Sequence, residues 1–169
     1  MTTFIKKLSA VVLVGFVSMT MTKADTHLTH LVDCANQGVT ECQTDLALAY
    51  MSGHIRSQDA QAAAKLFSAA AKSGDARAQW NLGMMYLFGN TVPQSSVRAL
   101  ELLSDAAKQD FPQANYTLGL LYKNGDFGVF KDGVRSCKYL AKACNHDISN
   151  ACDEYALNKC TLETPKVKR

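Results

Sequence analysis

The sequence predicts an all-α fold, an αα-superhelix in the form of a short right-handed solenoid of helix–turn–helix repeats. The segment from Ala78 reads AQWNLGMMYLFG, and the segment from Ala114, which begins 36 residues later, reads ANYTLGLLYKNG. An earlier segment, TDLALAYMSG, places leucine, tyrosine and glycine in the same phase, and an alanine-rich stretch follows each of the three. A fixed period of this length is typical of a repeat array, in which each unit buries its apolar face against its neighbours.

Each repeat is expected to contain two helices, called here the A helix and the B helix. In the A helix, Leu82, Gly83 and Tyr86 have helical spacing and form an apolar face with a small residue inside it. That small residue allows a neighbouring helix to approach closely. In the B helix, Leu102 and the pair Ala106–Ala107 have the same kind of spacing. The glycine that ends each A helix is expected to adopt left-handed geometry; these glycines are Gly53, Gly89 and Gly125.

The period also predicts the number and order of the helices. The three repeats span about residues 42–77, 78–113 and 114–150. A lone B helix around residues 27–35 is expected to precede them, and a lone A helix around residues 150–160 to follow them. The order is therefore B, A–B, A–B, A–B, A, which makes eight helices in one domain over residues 25–160.

The N-terminus has the pattern of a secretory signal peptide. Lys6 and Lys7 precede an uncharged, largely apolar run, and small residues stand three before and directly before a cleavage site after Ala24. A membrane anchor is the alternative, but the apolar run is shorter than the ~20 residues that a spanning helix needs. Residues 1–24 are therefore predicted to be removed on export, leaving a periplasmic or secreted protein without stable membrane insertion. Residues 161–169 are predicted to be a basic, flexible tail.

The charge of the exported chain argues against a nucleic-acid partner. The whole sequence has 18 basic and 15 acidic side chains. Cleavage after Ala24 would remove three lysines and no acid, leaving 15 of each sign. A chain of zero formal net charge has no basic footprint for nucleic acid or an anionic membrane.

The repeat resembles a known family. An alanine, the pattern L-G-x-x-Y-x-x-G, a short loop and a late pair of alanines resemble the Sel-one-like repeat, a relative of the tetratricopeptide repeat, over about residues 42–151. The first copy departs from the pattern with Ala47 in place of the first glycine, and the third loop is one residue longer. The resemblance implies a scaffold for a protein or peptide partner, such as an adaptor in the bacterial envelope or at the host interface. Some cysteine-rich members of the family are described as binding or slowly hydrolysing β-lactams, which makes a weak β-lactamase-like hydrolase the alternative.

The six cysteines are expected to form three disulfides, because the chain is exported and their number is even. Six cysteines allow 15 connectivities in principle. In the cysteine-rich members of the family, bridges link a B helix to the next A helix. The antiparallel order of the helices places the sulfurs across such turns and selects Cys34–Cys42, Cys144–Cys152 and Cys137–Cys160. All six lie at the two ends of the array, where they would clamp the repeats that have only one neighbour.

The sequence shows no signature of an enzyme or of a cofactor site. It contains no G-x-S-x-G, S-x-x-K or H-E-x-x-H pattern and no glycine-rich phosphate loop. His27 and His30, with Asp33 nearby, are too few to predict a metal site and are interpreted as exposed residues. We therefore expect no catalytic residue, no cofactor and no metal.

The candidate partner-binding residues lie on the A helices and in the third loop. Solenoids present a curved groove, and on this chain the residues expected to line it are Trp80, Asn81, Asn115, Thr117 and Phe127. For Phe127 and Phe130 two interpretations stay open: packing at the repeat junction, or exposed contact with a partner. The tyrosines at repeat positions are interpreted as packing residues whose hydroxyl reaches a backbone partner or water.

The cysteine assignment makes a first testable prediction. The exported, oxidised protein should contain no free thiol, so alkylation under denaturing but non-reducing conditions should leave its mass unchanged. Alkylation after reduction should add six adducts, one for each cysteine. A labelled cysteine in the non-reduced sample would contradict the assignment.

Overall fold

The fold is an array of helices connected by short loops. A computed structural model of the protein describes residues 23–53, 59–89, 91–158 and 160, and within them it contains eight α-helices and no strand. The prediction of an all-α fold with eight helices is therefore confirmed. The helices are α1 (Lys23–Asn36), α2 (Thr40–Ser52), α3 (Ala60–Lys72), α4 (Ala76–Phe88), α5 (Ser96–Lys108), α6 (Pro112–Asn124), α7 (Gly133–Cys144) and α8 (Ser149–Leu157), with a 3₁₀ turn at Asp126–Gly128.

Each helix packs mainly against the helices before and after it in the chain. The pairs α2–α3, α4–α5 and α6–α7 form the three helical hairpins, while α1 and α8 are the B and A helices at the two ends. The proposed signal peptide lies outside the described residues apart from its last two, and the cut after Ala24 would fall in the first turn of α1. The tail at 161–169 also lies outside them. No helix in the described part of the chain has the length and apolarity needed to cross a membrane.

The helix ends repeat as regularly as the sequence does. At the start of four helices an aspartate or serine side chain accepts a hydrogen bond from the amide three residues ahead; these caps are Asp59, Asp75, Ser95 and Asp132. The A helices α2, α4 and α6 end at Gly53, Gly89 and Gly125, whose φ values are 72°, 67° and 74°. The left-handed caps expected from the sequence are thus confirmed, and they turn the chain towards each B helix.

The glycine inside the A helix lets the following B helix come very close. A Cβ atom on Gly119 would lie 2.8 Å from Cγ of Leu140, and one on Gly83 would lie 3.0 Å from Cγ of Leu103. Both leucines are completely buried. The first repeat has Ala47 and the completely buried Phe67 at these positions. One large B-helix side chain per repeat therefore fills the core against a small residue of the A helix.

Disulfides join the terminal helices to their neighbours. Cys34–Cys42 links α1 to α2, with Cα atoms 5.8 Å apart, and Cys144–Cys152 links α7 to α8, with Cα atoms 4.7 Å apart. Cys137–Cys160 ties α7 to the residue that lies beyond α8, at 5.6 Å. These separations lie within the usual range for disulfides. All six cysteines are bridged, which places the clamps at both ends of the array.

The close approach at Gly119 predicts a specific loss of stability. Gly119→Ala should lower the free energy of unfolding by about 1–3 kcal/mol, because its methyl group would collide with Leu140 in a packed core. Chemical denaturation of the oxidised protein measures the change.

Gly133→Ala is the matched control for this change. A Cβ on Gly133, the first residue of α7, meets no atom within 4 Å, so that substitution should be neutral or slightly stabilising. Equal losses for the two variants would show that the packing at Gly119 is not the cause.

Candidate binding surface on the A helices

An open apolar cleft lies between the first and second repeats. Its volume is about 270 Å³. We call it the first-junction cleft, and its lining residues are Tyr50, Met51, Ala60, Phe67, Asn81, Met84, Met85, Phe88 and Thr91. Helix α4 supplies four of the nine lining residues, α2 and α3 supply two each, and the loop after α4 supplies one.

The cleft has a rigid floor and an exposed rim. Phe67 is completely buried and Met85 is 7% exposed, so both belong to the core beneath the cleft. Met51 is 43% exposed and Phe88 is 54% exposed, which leaves two large apolar side chains on the rim in contact with water. Methionine side chains adapt to differently shaped partners. This combination suits the binding of an apolar group.

A second, more polar depression adjoins the first-junction cleft. It shares Ala60 and Thr91 with the cleft, and its remaining lining comes from the helix cap Asp59, from Gln61 and from the loop residues Gly89, Val92 and Pro93. The two depressions together form a continuous surface over the start of α3 and the loop after α4. An apolar side chain in the cleft would thus have polar groups beside it for the backbone that carries it.

Polar contacts join successive A helices to one another. Arg77 of α4 pairs with Asp45 of α2, and Lys123 of α6 pairs with Glu154 of α8. Between α4 and α6, the indole Nε1 of Trp80 donates a hydrogen bond to Oγ1 of Thr117 at 3.0 Å. Every neighbouring pair of A helices is therefore linked by polar side chains as well as through the intervening B helix.

Trp80 and Thr117, two of the residues expected to line a groove, contact each other. The Thr117 hydroxyl donates in turn to the carbonyl of Gln113 at 2.8 Å, and the Trp80 ring lies 6.1 Å from that of Phe111. Both side chains are half-buried. Their main role in the structure is thus to hold the second and third repeats together.

The two asparagines in the expected groove have different positions. Asn81 is half-buried, lines the first-junction cleft and donates from its amide to the carbonyl of Arg77. Asn115 is completely buried, and its Nδ2 donates to the carbonyl of Phe111 at 3.2 Å. The expectation that Asn115 faces a partner is therefore corrected, because the packing between repeats covers it.

Phe127 packs into the fold and Phe130 does not. Phe127 is half-buried, its ring meets the edge of Phe88 at 5.4 Å, and its carbonyl accepts a hydrogen bond from Ser96. Phe130 is 91% exposed. The packing interpretation therefore applies to Phe127, whereas Phe130 is exposed and its contact with a partner stays a prediction.

The repeated tyrosines pair with arginines of the B helices. Arg98 lies over the ring of Tyr86 and donates to its hydroxyl at 3.4 Å, and Arg135 makes the same contacts with Tyr122. The hydrogen bond to Tyr122 raises the pKa of Arg135. The hydroxyl partner is thus an arginine rather than the backbone or water expected from the sequence. In the first repeat Ala62 occupies the arginine position, so Tyr50 can line the first-junction cleft.

The sequence did not predict that three methionines and Phe88 line a cleft. Met51, Met84 and Phe88 lie next to the helix-ending glycines or among core positions, where apolar residues are expected to pack. The one sequence signal for the cleft is that the first repeat has Ala62 where the later repeats have Arg98 and Arg135. His27, His30 and Asp33 are exposed, and within the described ranges no group of three or more metal-ligating side chains could hold an ion.

The contact between Trp80 and Thr117 makes a prediction about stability. Thr117→Val should lower the free energy of unfolding by about 0.5–1.5 kcal/mol, because the indole N–H loses its acceptor while the volume is kept. Chemical denaturation followed by far-UV circular dichroism measures the loss in every variant, including those that lack Trp80.

Trp80→Phe supplies the control, through a double-mutant cycle with Thr117→Val. Since the phenyl ring has no donor, Thr117→Val should cost much less in that background. Additive losses would show that the two side chains are not coupled.

Comparison with known proteins agrees with this architecture. A family model described as Sel1 repeat, the family named above as Sel-one-like, matches residues 40–75, 76–111 and 112–147. These segments contain α2–α3, α4–α5 and α6–α7, and each begins two residues before the repeat expected from the sequence. Among curated protein sequences, none matches the chain.

Two solved structures are similar to the chain. A protective antigen of uropathogenic Escherichia coli strains that displays an SLR fold is 27% identical, with a TM-score of 0.71 over 75% of this chain. A Sel1 repeat protein from Oxalobacter formigenes is 26% identical, with a TM-score of 0.71 over 78%. The chain spans only 27% and 54% of the lengths of these two proteins. The family model covers more than half of the chain, so the protein belongs to the Sel1-repeat family.

Proposed function

We propose that the protein is an exported, non-enzymatic scaffold that binds a protein or peptide partner through the first-junction cleft, in the bacterial envelope or at the host interface. The observation that carries the proposal is the exposed apolar rim of the cleft. Met51 and Phe88 remain in contact with water beside a buried floor, whereas Leu87, the equivalent of Met51 one repeat later, is buried. Apolar clefts with a few polar groups nearby are typical binding sites.

The disulfides support the location. Three bridges formed by all six cysteines indicate an oxidising compartment outside the cytoplasm, where such bonds form and persist. The signal peptide and its cleavage after Ala24 remain part of the proposal. In a periplasm or beyond it, the clamps would keep the terminal helices folded without help from a larger core.

The family and its members support the class of function. Sel1 repeats generally serve as scaffolds for protein–protein interaction, and one similar solved structure is that of a protective antigen of uropathogenic Escherichia coli. An antigen role does not define what that protein binds. For this chain it supports a position outside the cytoplasm, where partners in the envelope or at the host surface are in reach.

A β-lactam-binding or hydrolysing role rests on family analogy alone. Four serine hydroxyls in the described part of the chain donate to main-chain carbonyls, as Ser96 does to Phe127 and Ser136 does to Gly119. A nucleophilic serine instead needs a base within hydrogen-bond reach. Turnover of nitrocefin by the purified oxidised protein would favour the hydrolase over the scaffold.

The proposed function predicts how a charge on the rim of the cleft affects binding. Met51→Glu should lower the capture of the partner from an envelope extract by about ten-fold or more, because a carboxylate would be placed against an apolar surface. The measurement is quantitative mass spectrometry of proteins retained by the immobilised, oxidised protein.

Val97→Glu is the matched control. Val97 is 69% exposed and lies on α5 outside the lining of the cleft, so the same change in charge should leave the capture intact. If the wild-type protein retains no specific partner, the scaffold function is wrong. Equal capture by the two variants would place the binding surface elsewhere.

A further inference from the structure

At the second junction, between the second and third repeats, a side chain of the protein itself fills the site that is equivalent to the first-junction cleft. The two junctions are related by the 36-residue repeat, so each lining residue has an equivalent one period later. Met51, Phe67 and Met85 of the first junction correspond to Leu87, Leu103 and Leu121 of the second. At the second junction Phe127 packs against the cluster that contains these three leucines. At the first junction its equivalent is Thr91.

Phe127 reaches this position through an unusual backbone. Its φ of 55° and ψ of 28° are left-handed, and few residues other than glycine adopt that conformation. The ring lies perpendicular to that of Phe88, and the backbone carbonyl accepts a hydrogen bond from Ser96. Strain of this kind persists only where the surrounding contacts stabilise it. The junction thus has a defined place for an aromatic ring and for the peptide group that follows it.

The first junction has an equivalent buried floor but no aromatic ring above it, and Ser52 and Ala60 stand where the second junction has Phe88 and Ser96. Thr91 is not among the described residues with left-handed φ, and its side chain is too small to fill the cleft that it lines. The volume of about 270 Å³ lies below the ~300–1,000 Å³ usual for clefts that hold drug-sized ligands. A single large side chain therefore fits better than a complete small molecule. Tyr50 and Phe88 on the walls favour an aromatic group, because aromatic rings prefer tilted or edge-to-face contacts.

We propose that the first-junction cleft binds one aromatic side chain of a partner polypeptide, in the position that Phe127 occupies at the second junction. This inference rests on the proposed scaffold function and names the group that the scaffold recognises. The partner's ring would pack on Phe67 and Met85 beside Tyr50, and also beside Phe88, whose equivalent at the second junction is Asn124. Its backbone would lie over the polar depression beside Asp59 and Gln61.

The test introduces the equivalent of Phe127 into the loop beside the first-junction cleft. In the Phe graft, residues 90–94 are replaced by the sequence of residues 126–131, and Ala60→Ser restores the hydroxyl that Ser96 supplies at the second junction. The Ala graft is identical except for alanine at the position of Phe127, and it is the matched control. Both grafts keep the cap Ser95 and the six cysteines.

The first measurement needs no partner. In the Phe graft the ring should enter the cleft, so the methyl resonances of Met51, Met84 and Met85 should shift relative to those of the Ala graft, and the midpoint of thermal unfolding should rise. If neither the resonances nor the midpoint differ between the two grafts, the cleft does not accept an aromatic side chain and the proposal is wrong.

The second measurement uses random peptides displayed on phage as the probe. Peptides enriched on the wild-type protein and on the Ala graft should share an aromatic residue and should bind the Phe graft at least about ten-fold more weakly. Replacing that residue by alanine should cause a similar loss. The proposal is overturned if no peptide is enriched, if the shared residue is charged or aliphatic, or if the Phe graft binds equally well.

Capture from an envelope extract separates this proposal from the scaffold function. If the wild-type protein and the Phe graft both retain the same partner, the scaffold function stands and the aromatic site is wrong. If the wild-type protein retains no partner while aromatic peptides bind the cleft, the site stands and the scaffold function is wrong. Retention by the wild-type protein and the Ala graft, with loss in the Phe graft, supports both.

Discussion

The stacking of this array depends on how closely each B helix lies against the A helix before it. Gly83 and Gly119 bring the helices so near that an added methyl group would meet a buried leucine. At this distance a single large side chain of each B helix fills the interior, and the other buried positions of α3 and α5 are alanines such as Ala70 and Ala106. The short loops follow from the same constraint, since the chain reverses between closely packed neighbours.

The turn from each B helix to the next A helix uses several devices at equivalent places. Within the array, Gln79 donates to the carbonyl of Ala71, and Gln43 donates to that of Ala35. At the last turn the equivalent positions are Cys152 and Cys144, joined by a disulfide. At the last turn a covalent bond thus takes the place of this hydrogen bond, whereas at the first turn the disulfide Cys34–Cys42 is present beside it. The end helix has a neighbour on one side only and gains most from such a bond.

The sequence was sufficient to derive the period, the helix order, the glycine caps and the end clamps, because all of these recur or depend on spacing alone. The burial of Asn115 could also have been predicted from the sequence. Amide side chains recur at this repeat position as Gln43 and Gln79, eight residues after an alanine of the preceding B helix, which is the spacing of a polar link across the turn. The position of Phe127 could not have been predicted, because it depends on left-handed backbone at a residue other than glycine. The first-junction cleft depends on differences between loops and on side chains from three helices, which no periodic pattern encodes.

The disulfides cross-link the two ends of the array and leave its middle without a cross-link. All six cysteines lie outside residues 43–136, so no disulfide crosses the boundaries between the repeats within that segment. One whole unit of about 36 residues could therefore be duplicated or removed there without breaking a bridge. This arrangement lets the length of the array change during evolution, or by design, while the disulfides that stabilise its ends stay the same. The number of units is thus free to follow the size of whatever the array must span.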